Sequence, residues 1–105
     1  MINEDRLHKA LIYLSTTDEP CADLKMEVER AEYRAKATKD AVFLHSEGTV
    51  AERTAAAGIA KSYTDALDEY FEKMRAHDAM RNKRRTEEIV IEVWRSLESS
   101  RRKAI

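Results

Sequence analysis

The sequence predicts an all-α fold: a long antiparallel helical hairpin, coiled-coil-like, that self-associates into a helical bundle. Three observations carry this. The 105 residues contain two glycines and one proline, so the elements must be few and long. From Cys21 to His45, apolar and small residues recur in alternating steps of three and four, which is a heptad seam. One sharp stop-and-restart signal, Ser46-Glu47-Gly48-Thr49-Val50-Ala51-Glu52, marks a tight helical turn.

The elements follow in order within one domain, 1–105. Asn3 is a good N-cap, and Glu4 and Asp5 favour the first turn. Leu7, Ala10, Leu11 and Leu14 at helical spacing predict a first helix over about 4–15. Ser15-Thr16-Thr17-Asp18-Glu19-Pro20 should interrupt it, with Thr17 or Asp18 capping a new helix and Pro20 in its first turn. The second helix, about 19–46, carries the seam Cys21, Leu24, Val28, Ala31, Ala35, Thr38, Val42 and His45. Its small centre lets a partner helix approach closely. Met26, Tyr33, Ala37, Ala41 and Leu44 form a second apolar stripe, expected to be an oligomer interface.

Gly48 then serves as a left-handed C-terminal cap, and Thr49 with Glu52 forms a capping box. So short a connection makes the flanking helices antiparallel. The third helix, about 50–97, has the inner stripe Ile59, Tyr63, Ala66, Leu67, Tyr70, Met74 and His77. Gly58 inside it is either tolerated, at a cost of about 1 kcal/mol relative to alanine, or sits where a bulky side chain presses close. Residues 98–105 form a basic tail. The arms match in length, which pairs the first helix with Ile89–Leu97.

Charge and composition bound the function. Hydrophobic residues make up 43% and charged residues 37%, a balance of exposed helices rather than of a thick core. The net charge of -1 creates no global field toward DNA or membranes. Residues 81–105 nevertheless carry a net +4. The single cysteine, Cys21, fits a reducing cytosol, and neither a signal peptide nor a membrane-spanning run is evident. The expected location is the cytosol.

No motif points to catalysis. His8, His45 and His77 have no ligand spacing, and there is no phosphate loop or nucleophile elbow. A non-enzymatic protein without cofactor or metal is expected. The basic residues Arg81, Lys83, Arg84 and Arg85, extended by Arg95, Arg101 and Arg102, fit a phosphate-contacting patch that binds DNA weakly. They equally fit a solvated helix face with an Arg84–Glu88 pair. Trp94 fits either a core residue over the first helix or an exposed partner anchor with Arg95.

The chain resembles a family of small helical proteins of tailed bacteriophages and prophages. The resemblance rests on Ala31-Glu32-Tyr33, Phe43-Leu44, the turn Gly48-Thr49-Val50-Ala51-Glu52-Arg53, Tyr70, Ile91-Glu92-Val93-Trp94-Arg95-Ser96-Leu97, and Arg101-Arg102. Such proteins tend to be encoded among early genes for DNA recombination and replication. The resemblance therefore implies an accessory protein that binds a protein partner, DNA or both. A second expectation is an inhibitor of a host nuclease or defence complex, working through Asp65, Asp68, Glu69 and Glu72.

Overall fold

The computed structural model describes residues 2–104. Among them the elements are all helices: α1 (Glu4–His45), α2 (Val50–Ile59) and α3 (Lys61–Ala104). The chain gathers into two compact units. A terminal unit joins Met1–Ala22 to Asp78–Ile105, and a central unit comprises Asp23–His77.

Asn3 caps α1 as its residue type predicts. The Arg6 N–H donates to Asn3 Oδ1 at 2.8 Å, and the Leu7 N–H to the Asn3 carbonyl at 3.0 Å. The break expected at Thr16–Pro20 does not form, and α1 runs through Pro20. The reason lies in its seam. Leu7, Ala10, Leu14, Thr17, Cys21, Leu24, Val28, Ala31, Ala35, Thr38 and Val42 follow in unbroken three-and-four steps, and none is exposed. A proline inside a helix costs about 3 kcal/mol. Fully burying a leucine-sized side chain returns about 1.5–3 kcal/mol; Leu7, Leu14 and Leu24 are half-buried here, so keeping several such side chains on one seam offsets the proline. Pro20 and Thr16 both lie on the exposed side, where water reaches the carbonyl that lacks a donor. The hydroxyls expected to cap a new helix bond back instead. Thr17 Oγ1 donates to the Tyr13 carbonyl at 2.6 Å, and Ser15 and Thr16 each donate to the Ile12 carbonyl at 2.9 Å.

In the central unit α1 and α3 run antiparallel. Glu27 meets Lys73, Arg34 meets Glu69, and Lys39 Nζ stands 5.2 Å from the centre of the Tyr63 ring. Ala31 and Ala35 are buried, as the small centre of the seam predicts, while His45 at its end is exposed. Gly48 takes φ +112°, and a Cβ there would meet Glu52 Oε2 at 2.9 Å. Thr49 Oγ1 accepts from the Glu52 N–H at 3.1 Å and donates to Glu52 Oε1 at 3.1 Å. The cap thus differs from the expected box, because the carboxylate takes the hydroxyl proton rather than reaching the Thr49 backbone.

The second arm is not one helix. Ala60, with φ -61° and ψ 134°, ends α2, and its carbonyl accepts the Thr64 N–H at 3.0 Å. Lys39 opposite Tyr63 makes each step up α1 a step back along α3. A straight arm would therefore carry Val50 ~10 Å beyond His45, at ~1.5 Å per residue. Turning at Ala60 lets the short link 46–49 close. The turn also reverses a sequence expectation: Ile59 is 81% exposed rather than on the inner stripe, and Ala57 is buried in its place. Nothing approaches Gly58 within 4 Å, which fits a tolerated glycine and not the crowded one.

In the terminal unit α3 continues through Ala104, so the expected basic tail is helical over 98–104. Arg101, Arg102 and Lys103 in its last turn complement the helix dipole. Among the described residues no helix is long and apolar enough to cross a membrane.

Candidate functional site

The inner seam of α3 runs Tyr63, Ala66, Tyr70, Lys73, His77, Met80, Arg84, Glu87, Ile91, Trp94 and Glu98, all half-buried. Arg84 therefore lies on the seam and not on a free basic face. Its side chain is 17% exposed. Nη1 donates to the Leu14 carbonyl at 2.8 Å and to Thr17 Oγ1 at 2.6 Å, and Nη2 to Asp18 Oδ1 at 3.4 Å. The Arg84–Glu88 pair expected from spacing is replaced by these contacts. One turn on, Glu87 pairs with Arg6. Arg6 Nη2 donates to Oε1 at 2.9 Å, while Nη1 lies 2.6 Å from Oε2, a buried oxygen that accepts no hydrogen bond. The hydrogen bond it donates to Glu87 holds the Arg6 guanidinium further toward its charged form.

The remaining basic residues divide into tied and exposed. Arg81 stands 3.4 Å from Asp78, Arg85 lies between Glu88 at 3.2 Å and Glu92 at 3.4 Å, and Arg101 stands 3.7 Å from Glu98. The two carboxylates raise the pKa of Arg85, chiefly through its hydrogen bond to Glu88. Lys83, Arg95 and Arg102 are exposed. The residues read as a phosphate patch are thus not gathered into one surface. Arg84 turns inward, and three others face carboxylates of their own helix.

A different surface emerges beside them. Ile89, Val93 and Leu97 are spaced four apart along α3, and all are exposed large hydrophobic residues. Next to this stripe lies a hollow of about 610 Å³ lined by Ile2, Asn3, Glu4, Trp94, Leu97, Glu98 and Arg101. Trp94 is half-buried and lines the hollow, so its ring both borders the start of α1 and faces open space. Glu4, Glu98 and Arg101 bring charge to its lining beside Ile2, Trp94 and Leu97. The sequence signal for this surface was the four-residue step Ile89–Val93–Leu97, which an inward reading of the whole apolar run conceals.

In the central unit Met26, Tyr33, Ala37 and Leu44 are all exposed. The acidic positions proposed for an inhibitory surface are partly engaged, Asp65 by Lys61 at 2.6 Å and Glu69 by Arg34 at 2.9 Å. Among the described residues no group of three His, Cys, Asp or Glu side chains is placed to hold a metal ion. Arg53, to which the sequence reading gave no structural role beyond closing the turn motif, ties the turn. Its Nε donates to the Phe43 carbonyl at 3.1 Å, and its guanidinium stacks 4.2 Å from the Phe43 ring centre. No protein-family model, no characterised protein and no solved structure matches this chain.

Proposed function

We propose that this chain is a non-catalytic interaction protein that binds a protein partner through the α3 face around Trp94. The observation that carries the reading is the exposed Ile89–Val93–Leu97 stripe beside a hollow whose lining mixes Ile2, Trp94 and Leu97 with Glu4, Glu98 and Arg101. Exposed apolar side chains set among charges suit a protein-binding surface, and tryptophan and arginine dominate the binding energy of such surfaces. Direct DNA contact is the weaker reading, because Arg84 is committed to the seam and Arg81, Arg85 and Arg101 face carboxylates. The phage-protein resemblance supplies the setting, DNA recombination or replication in a bacterial cytosol, and the alternative target is a nuclease or defence complex of the host.

The test is affinity capture from bacterial lysate with the native chain and with Val93→Asp/Leu97→Asp. A partner of DNA metabolism or defence retained by the native chain and lost with the variant is the expected result. Equal retention by both, or retention of nothing by either, overturns the reading. Gel-shift titration with single- and double-stranded DNA at low salt is expected to give no discrete complex. A complex weakened by Arg95→Ala/Arg102→Ala would instead favour DNA.

A further inference from the structure

The outer face of α1 in the central unit carries a second heptad row that α3 does not use. Met26, Arg30, Tyr33, Ala37, Asp40 and Leu44 follow in steps of four, three, four, three and four, and every one is exposed. Met26, Tyr33 and Leu44 stand out at 50%, 75% and 71% exposure. A row with this period is the geometry by which one helix meets another along its length.

The row is complementary to itself. In an antiparallel pairing of two copies centred at the level of residue 35, Met26 meets Leu44 of the second copy and Tyr33 meets Ala37 of the second copy. Each phenol ring then falls on a small residue, which lets the two helices approach. The same alignment sets Arg30 against Asp40 of the second copy, twice by symmetry. A parallel pairing would instead put arginine on arginine, aspartate on aspartate and tyrosine on tyrosine. A shift of one heptad would lose both charge pairs: one way it sets Arg30 on Tyr33 and Asp40 on Asp23 of the second copy, the other way it sets Asp40 on Ala37 and leaves Arg30 at the level of Glu47, past the end of α1. Arg34 and Lys36, which flank the centre, already face Glu69 at 2.9 Å and Glu32 at 3.2 Å within their own chain, so they do not oppose the pairing strongly. Asp40 also borders a shallow hollow with Thr54 and Ala57 and remains exposed there.

We infer that this face is the seam of an antiparallel homodimer, with Arg30 and Asp40 selecting its alignment. Self-complementarity singles out a second copy as the occupant, since a foreign partner places no such demand on this helix. Point-group symmetry requires the same patch on both chains, which this row provides. The proposal is independent of the Trp94 surface, because it uses other residues in the other unit.

Sedimentation equilibrium across the micromolar range tests it. The native chain should approach twice its monomer mass. Arg30→Asp and Asp40→Arg should each weaken association at least tenfold, a loss of about 1.4 kcal/mol, with helical circular dichroism unchanged. Arg30→Asp/Asp40→Arg together should restore the dimer. Orientation is read separately in a Cys21→Ala background. Met26→Cys and Leu44→Cys chains should form a disulfide when mixed, and neither should do so alone. A native chain that stays monomeric overturns the inference. So do charge reversals without effect, a double reversal that fails to recover the dimer, or a disulfide formed by Met26→Cys alone.

Discussion

The terminal and central units join the same two helices with different chemistry. In the central unit the contact is made small: Ala31 and Ala35 are buried on α1, and Ala57 is buried on α2. Ion pairs such as Arg34–Glu69 and Glu27–Lys73 stay at its margins. In the terminal unit the seam itself is polar, with Arg84 on the Leu14 carbonyl and Thr17, and Glu87 on Arg6. Small residues allow close approach but tolerate sliding of one helix along the other. A guanidinium that must find one carbonyl, one hydroxyl and one carboxylate tolerates much less. The central unit is thus held by packing and the terminal unit by alignment, and a polar group on a seam usually trades stability for a defined register.

The largest test of this contrast is Ala35→Leu. Forcing three more carbons into a buried alanine site should cost about 2–3 kcal/mol, read by urea unfolding. Hydrogen exchange should show protection lost first over residues 23–77. Equal loss around Arg84 would break the contrast. Next is Arg84→Met, which keeps the apolar stem and removes the donors, at a cost of about 1–2 kcal/mol. Adding Thr17→Val should recover much of that stability, because an apolar pair replaces a half-buried charge. The double variant should also populate more than one α1–α3 alignment, visible as doubled amide resonances. One sharp set of resonances would mean that Arg84 does not set the register. The smallest effect is a gain. Gly58→Ala adds a methyl where nothing lies within 4 Å and should stabilise α2 by about 0.5–1 kcal/mol, seen as a melting point a few degrees higher.

How much of this was legible depends on whether the cause was local. Asn3, Gly48 and Thr49 act through neighbours three or four residues away, and their roles were readable from residue type and spacing. The seam of α1 was readable from Cys21 onward, but the Thr16–Pro20 signals hid its continuation to Leu7. The proline's cost is local, while the burial that offsets it is spread over the whole helix. Arg84 was misread for a related reason. Within a run of charges it looks solvated, and only the wider series Met80, Arg84, Glu87, Ile91 and Trp94 reveals its place on the seam. The turn at Ala60 had only a weak signal, Gly58 two residues earlier, which a helix can also carry in its interior. It arises from the mismatch between the end of α1 and the start of α2, which exists only once α1 and α3 are aligned.

Among the described residues the buried hydrophobic side chains are the alanines Ala10, Ala31, Ala35 and Ala57. That fact reaches beyond packing to the temperature response of the molecule. The heat capacity released on unfolding scales with the apolar area newly hydrated, and methyl groups contribute little of it. The curve of stability against temperature should therefore be shallow for a chain of this length. Calorimetry is expected to show broad melting, and urea titration a low slope.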